Sequence, residues 1–567
     1  MSEGVHTSLE VNSKLVDYMS SQAKYYYLPL FTDGLVNPTV ARQLGFYNHL
    51  PRTLEQIQNS LIKAKVARYS HIKLPVDRWV PFLEQTIELC EQSGLPVILQ
   101  ICTSFLIDDA FFETLFERTS NFEIEWVLDS KSDLITKRVF EAESYFRATH
   151  ITIPIFKSMN WDLVYCPKLF QYFTDVHLYF GYQLSAQSEF LNCKQAHYLV
   201  GRLRKQFPDT NFLPPKGVDL WDQRAFADFD MEPFILPCFE TQSVNPAVRF
   251  SVIIPTYNNQ NHLRAVLRHL YKQSVGLDNF EIIVVDDGGT DQTQTLVLKL
   301  LQDFPQKINF KYIFFPRVRK RTMGDSQYRA GISRNLGAKN AVGEIFCFLD
   351  SDIIVPDNYL AQVEVALRQW DGVQARRLNL SQNRSRLDIE YNQIERTTDL
   401  IADEPYWEWF IQQKDWHKLP YNWKYVCTHS FSLKKSLFWN LGGLKKNFIF
   451  YGFEDTDLGY RLVKRGFRLH LLDVEVFHMF HENVRSEFFN LNSLRHSLLS
   501  KTAQIFYLHH LDEDIYENLL GFMEPEPTFR RAMKRVLKLV TFQFAWGSKE
   551  LVYKSLPKSK ENFKKIH

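Results

Sequence analysis

One pattern repeats between residues 25 and 220. A short apolar or β-branched run is followed by a helix-like stretch, and the pair recurs at intervals of roughly 25 to 30 residues. The runs are YSHIKLPV, LPVILQICTS, FEIEWVLDS, THITIPIF, DVHLYFGY and TNFLPP; the helix-like stretches include RWVPFLEQTIELCEQSG and LNCKQAHYLVGRLRKQF. Strands separated by helices pair in parallel, and a series of such units closes or partly closes into a barrel. The spacing predicts a βα-repeat, barrel-like domain over 1–220, complete or partial. Gln100, Asp129 and Lys157 fall at predicted strand C-ends, the functional side of a barrel. No nucleophile–base pair or ligand set accompanies them, so the residues name no reaction there. Residues 221–248 lack periodicity and read as a linker or connecting layer.

A second α/β block follows over 249–487. SVIIP is a strand, NHLRAVLRHLYKQS a helix, EIIVVDDGGTD a buried strand ending in acids and glycines, RAGISRNLGAKNAVG a helix, and EIFCFLDSD another strand. From 488 to 567 the pattern is helical and basic. The expected fold class is therefore α/β: a βα-repeat domain, a second α/β domain and a helical C-terminal extension.

The totals exclude several classes. The chain has 567 residues, room for roughly two to four domains. Hydrophobic content of 45% and charged content of 23% are those of a soluble globular protein, and a net charge of +2 argues against a nucleic-acid partner. MSEGVHTSLE has no apolar h-region, and no apolar run reaches membrane-spanning length. The 7 cysteines are odd in number and form no CxxC pair. That argues against a disulfide framework, a zinc ribbon or an iron–sulfur cluster, and points to a reducing cytoplasm.

In FCFLDSDIIVPDNY, Asp350 and Asp352 follow an apolar strand one residue apart. Ligands of open α/β sheets bind at that edge, and two carboxylates on one side of an extended segment can hold one hard divalent cation. The alternative is a polar turn capping a strand. IIPTYN, VVDDGGTDQT and SRNLGAKNAVGEIFCFLDSD occur in this order. Together they resemble the large inverting family 2 of GT-A nucleotide-sugar glycosyltransferases, over about residues 249–485. The resemblance implies a Rossmann-like GT-A domain and a role for each matching residue. Pro255, Thr256 and Tyr257 lie along base and ribose. Asp287 accepts an N–H from the base; its neighbour Asp286 is a strand-end acid or a structural cap. Arg334 and Asn335 belong to a donor-side helix, where the arginine pairs with phosphate or is a surface charge. Asp350, on the donor, and Asp352 form a metal-binding D-x-D with Asp352 the direct ligand.

GFEDTDLGYRL matches the acceptor side of the same family. By that match Glu454 contacts a sugar and Asp455 is the general base that an inverting transfer needs; otherwise both acids sit on the positive end of a helix dipole. In VFHMFHENV, His478 lies where relatives supply an imidazole to the metal, with His481 behind it; otherwise both are core. The chain departs from the family at CTHSFSL, with His429 and Ser430, and at GGLKKNF, which leaves the acceptor open. Trp407, Trp409, Trp416 and Trp423 stack on sugar or pack internally. RVRKR, 317–321, is a solvated face or a loop that folds over a diphosphate.

The reading is a metal-dependent inverting glycosyltransferase using Mn²⁺ or Mg²⁺. It moves sugar from a UDP-sugar to a hydroxyl of a glycan, lipid-linked or protein acceptor. The alternative is a modular protein whose N-terminal domain binds or modifies the acceptor or a partner. Residues 528–567, with Phe542, Phe544 and Trp546 among basic residues, either pack on the catalytic domain or lie on an anionic membrane surface. The expected location is cytoplasmic, peripheral at the inner membrane surface if that segment binds lipid.

Overall fold

A computed structural model describes residues 237–241, 248–303, 308–317, 329–381, 389–395, 399–401, 405–445, 448, 452–480 and 492–523, and between 25 and 213 the elements named below with a few adjoining residues. The first sheet has seven strands: β1 (Tyr25–Tyr27), β2 (His71–Val76), β3 (Val97–Cys102), β4 (Phe122–Val127), β5 (Ala148–Pro154), β6 (Asp175–Tyr179) and β7 (Asn211–Leu213). They are parallel throughout and stand side by side in chain order. Each of the six predicted runs contains one strand of this sheet. Parallel neighbours need crossovers, which are right-handed. Repeated in one direction, such crossovers put the helices on one face and curl the sheet. Helices of this half of the chain include α1 (Pro81–Ser93), α2 (Asp133–Glu143) and α3 (Cys193–Gln206).

Alternation along each strand decides the packing. Leu99, Ile101, Ile124, Trp126, Ile151, Ile153, Val176 and Leu178 form one apolar cluster with Ile87 and Cys90 of α1, Val139 and Ala142 of α2, and Leu199 and Leu203 of α3. Glu125 and His177, out of phase with that set, are buried on the opposite side. Of the three residues placed at strand C-ends, Asp129 and Lys157 lie outside the described residues. Gln100 lies within β3, paired with Glu125.

The second sheet contains β8 (Phe239–Glu240), β9 (Phe250–Thr256), β10 (Phe280–Asp286), β11 (Asn309–Phe314), β12 (Ile345–Leu349), β13 (Ile353–Ile354), β14 (Gly372–Leu380), β15 (Leu400–Ile401), β16 (Ser430–Lys434) and β17 (Leu469–His478). Its order is β13-β17-β14-β16-β12-β9-β10-β11-β8, with β15 on β14. The core β12-β9-β10-β11 is parallel, so the loops after β9, β10 and β12 emerge at one edge. β8 comes from the stretch read as a linker and pairs antiparallel with β11. Helix α4 (Gln260–Leu270) covers one face through Leu263, Val266, Leu267 and Leu270, while α5 (Thr293–Asp303) follows β10. Helix α6 (Ala330–Lys339) covers the other face through Ile332 and Leu336.

Helix α7 (Glu454–Lys464) precedes β17. The chain then forms α8 (Asn492–His510) and α9 (Glu513–Met523). These two helices join the first sheet's apolar cluster through Phe506, Tyr507, Ile515 and Tyr516, and Trp423 and Tyr460 enter the same cluster. His197 of α3 stacks on Tyr516 with ring centroids 3.8 Å apart. No helix among the described residues is long and apolar enough to cross a membrane. The basic segment 528–567 lies outside the described residues.

α6 lies close on the sheet because Gly337 has no side chain. A Cβ there would stand 2.5 Å from Ile253 Cγ2 and 3.2 Å from Val285 Cγ2. Gly337→Val should therefore overpack this contact and cost about 1–3 kcal/mol, read as a lower urea midpoint with the same m-value.

Candidate active site

At the edge where β9, β10 and β12 end, polar side chains tie the loops together. Asp286 accepts hydrogen bonds from the Gly289 amide and the Tyr312 hydroxyl, each at 2.7 Å. Burial raises its pKa against the effect of both bonds. Its oxygens are spent inside the protein, so Asp286 is the structural cap. Asn258, at φ 49°, turns its side-chain oxygen to accept the Thr290 amide at 2.7 Å. Asn259 donates to Ser351 Oγ at 3.0 Å, and His262 bridges Asn259 Oδ1 (2.6 Å) and the Phe480 carbonyl (3.3 Å). The loops after β9, β10, β12 and β17 are thus cross-linked around one floor.

Thr256 is buried, Pro255 is partly buried, and Tyr257 presents its ring 46% exposed at the mouth. Asp287, held by its amide to the Thr256 carbonyl (2.8 Å), stands beside them. Two arginines meet its carboxylate. Arg329, buried, gives Nε and Nη2 to Oδ1 at 2.7 and 2.6 Å. It also donates to the carbonyls of Phe315 (2.9 Å) and Pro316 (3.0 Å) and lies 3.8 Å over the Phe315 ring. Arg317 bonds Oδ2 through Nη2, donates Nε to the Asp287 carbonyl at 2.6 Å and lies 4.5 Å over the Tyr257 ring. Arg317 opens the basic run noted above, of which 318–321 lie outside the described residues.

Arg334 is buried on α6 between two acids. It donates to Asp350 Oδ1 at 2.6 Å and faces Glu454 Oε1 at 3.7 Å. It is not a surface charge. Asn335, next to it, holds the Leu444 carbonyl (2.6 Å) and amide (2.9 Å), so its amide clamps the turn after the GG pair. Asp352 Oδ2 lies 3.6 Å from His478 Nε2, brought there by the antiparallel pairing of Ile353 with His478. His429 donates no charge to this floor. It is buried, and burial followed by Arg377 lowers its pKa well below the ordinary value; Nδ1 bonds Ser430 Oγ at 2.7 Å, and its carbonyl accepts the Asp350 amide at 3.1 Å. Among the described residues no three His, Cys, Asp or Glu side chains converge as a metal cluster. Asp352 and His478 are a carboxylate–imidazole pair whose atoms can donate to a divalent metal, with Asp350 turned toward Arg334; His481 lies outside the described residues.

The chain enters α7 through two left-handed residues, Gly452 (φ 96°) and Phe453 (φ 71°). The second is strained for a side-chain-bearing residue. It directs the acids of EDTD differently. Glu454 is buried against Arg334. Asp455 accepts the amides of Thr456 (2.8 Å) and Thr428 (3.3 Å), yet burial raises its pKa against the opposing charge of Arg334. Asp457 is an anchor. It meets Arg461 Nε at 2.8 Å and His510 Nε2 at 2.6 Å; burial pushes its pKa up, but Arg461 and His510 hold it below the carboxylate range. Trp416 and Trp423 are buried, the former donating to the Asn422 carbonyl at 2.9 Å, so neither is a sugar platform; Trp407 and Trp409 are partly exposed. Arg329, Asn258, Asn259 and His262 enter the site without having stood out in the sequence. An arginine five residues before an RN pair, and Asn-Asn after a strand, were the available signals.

The raised Asp455 pKa has a definite sign. An acid whose folded pKa exceeds its unfolded one contributes stability below the unfolded value and loses it as pH rises through the folded value. Asp455→Asn should therefore melt at an equal or higher temperature than the parent at pH 7. The difference should vanish below the ordinary carboxylate range, as followed by thermal denaturation across pH.

Residues 251–442 match the family model "Glycosyl transferase family 2", and residues 411–483 match "N-terminal domain of galactosyltransferase". Validoxylamine A glucosyltransferase of Streptomyces hygroscopicus subsp. jinggangensis is 28% identical over 235 residues, 38% of this chain and 51% of that protein. Poly(ribitol-phosphate) beta-N-acetylglucosaminyltransferase TarS of Staphylococcus aureus is 36% identical over 105 residues, 18% of this chain and 16% of the relative. This chain thus spans about half the length of the first relative and less of the second. A crystal structure of S. aureus TarS 1-349 in complex with UDP-GlcNAc is similar at a TM-score of 0.34 and 18% identity, covering 49% of this chain and 72% of that one. The α/β unit that starts at β9 thus carries, over residues 251–442, a domain of glycosyl transferase family 2.

Proposed function

We propose that this protein is a metal-dependent inverting glycosyltransferase that moves a sugar from a UDP-sugar to a hydroxyl acceptor. One observation carries the reading: buried Arg334 lies between Asp350 and Glu454, with Asp455, its pKa raised, next to Glu454. A cation between strand-end acids and a helix N-terminus suits a diphosphate on one side and a sugar on the other. The matched relatives are named for glucosyl and N-acetylglucosaminyl transfer.

Tyr257 and Asp287 receive the base, and Arg334 pairs with phosphate oxygen. Asp352 and His478, with Asp350 beside them, would hold Mn²⁺ or Mg²⁺; a divalent ion there supplies charge neutralisation for the leaving diphosphate. Asp455 takes the proton of the acceptor hydroxyl as that oxygen bonds C1 and the C1–O bond to phosphate breaks, releasing the nucleoside diphosphate. A carboxylate with a raised pKa is a stronger base for that step. Glu454, buried against Arg334, orients the guanidinium and the sugar. Acceptors are glycan, lipid-linked or protein hydroxyls. Cys90, Cys238, Cys347 and Cys427 are free thiols, which suits the cytoplasmic setting.

A modular reading has its own observation. His510 of α8 bonds Asp457 of α7, while Tyr507 of the same helix lies 3.3 Å from His197 of α3. One helix touches both the first sheet's covering helices and the helix that presents Asp455. In this reading the first domain delivers an acceptor or partner.

A hydrolysis screen over UDP-, GDP- and dTDP-sugars with and without Mn²⁺ tests the donor. UDP-sugar turnover should stop with EDTA and return with Mn²⁺, and Asp352→Ala should be inactive; full activity of that variant in metal-free buffer would refute the metal. Asp455→Asn should lose about 10²–10⁴-fold in kcat while binding UDP as the parent does. An equal loss of UDP affinity would move Asp455 to a donor-side or structural role.

A further inference from the structure

The two arginines on Asp287 are not equivalent. Arg329 has a side chain 3% exposed and is locked by two carbonyls and the Phe315 ring; Arg317 has a side chain 16% exposed and lies over Tyr257 at the mouth. Arg329 sets Nε and Nη2 on Oδ1, and the place at Oδ2 goes to a second donor. Arg317 fills that place. A flat guanidinium stacked on an aromatic face, with one N–H on a carboxylate oxygen, presents the shape and donor of a pyrimidine imide edge.

We propose that Arg329 determines base specificity by withholding Oδ1 of Asp287, and that Arg317 is a placeholder for the base. The proposal rests on the nucleotide reading of this edge. With Oδ1 taken, Asp287 accepts one base N–H. Uracil and thymine offer one, N3–H, between two carbonyls. Guanine offers two side by side, N1–H and the 2-amino group, and needs both carboxylate oxygens. Its second donor is left buried without an acceptor, which sites of this kind penalise strongly. Arg317 acts otherwise. Every base must displace it, so its cost is common to all nucleotides and cancels from their ratio.

Calorimetric titration of the full chain with UDP, dTDP and GDP, in Mn²⁺, separates the two roles. The parent should bind UDP and dTDP about tenfold or more tighter than GDP, one poorly satisfied hydrogen-bonding group being worth about that factor. Arg329→Gln should bring UDP and GDP within about threefold, and Arg329→Lys, whose ammonium keeps a charge-assisted bond to Oδ1, should keep the parent's preference. Arg317→Ala should tighten UDP and GDP together by about three- to tenfold and leave their ratio unchanged. Methylguanidinium should weaken UDP binding to Arg317→Ala more than to the parent. A parent that binds GDP as well as UDP, a folded Arg329→Gln with the parent's ratio, or an Arg317→Ala that binds UDP more weakly overturns the proposal. If Arg329→Gln does not fold, a folded Arg329→Lys without the UDP preference, or the Arg317→Ala result, decides. If none of the three nucleotides binds any folded variant, the nucleotide site itself is refuted.

Discussion

Arg334 is buried, and its charge has to be compensated where it sits. Asp350 supplies one carboxylate from the end of β12 and Glu454 another from the start of α7. Removing one partner of such a group leaves an uncompensated buried charge, at a cost of about 3–5 kcal/mol. The guanidinium therefore sets the distance between the end of β12 and the start of α7. Gly331, one turn earlier on α6, keeps the contact close: a Cβ there would lie 3.3 Å from Glu454 Cγ.

What holds α7 in register with that arginine is a second set of charges further along the same helix. Asp457 and Arg461 form an i,i+4 pair, and Arg461 reaches back to the carbonyls of Leu441 (2.6 Å) and Gly443 (2.8 Å). Asn335 grips Leu444 in the same turn from the other side. The strain at Phe453 persists because both ends of the turn are over-determined in this way. Asp455 is thereby left partly buried without a cation bonded to it, and its pKa rises while that of Asp457 falls. Two acids two residues apart take opposite roles because, among the described residues, Asp457 has a bonded cation and Asp455 feels Arg334 only at a distance.

The aromatic layer of α8 and α9 extends this frame to the first half of the chain. Phe506 meets Trp423 and Tyr460 on one side, with ring centroids 5.8 Å away in each case. Tyr516 stacks on His197 on the other. Edge-to-face and stacked rings each add about 0.5–1.5 kcal/mol beyond their buried area. The high aromatic content is accounted for here largely as packing rather than as sugar-binding surface.

Much of this was legible in the sequence because periodicity is local. The βα rhythm named six strands of the first sheet. The strand-end acids Asp286, Asp287, Asp350 and Asp352 lie at one sheet edge because parallel strands must deliver their ends together. The sequence alone determined that these acids stand at strand ends. Which partner each one takes was decided only by tertiary structure. Arg329 finds Asp287 across 42 residues, His510 finds Asp457 across 53, and His262 meets the Phe480 carbonyl across 218. Nothing in spacing or composition encodes those approaches. They follow from how α6, α7 and α8 pack, and it is that packing which makes Asp286 a cap, Asn335 a clamp and Asp455 the acid left without a bonded cation.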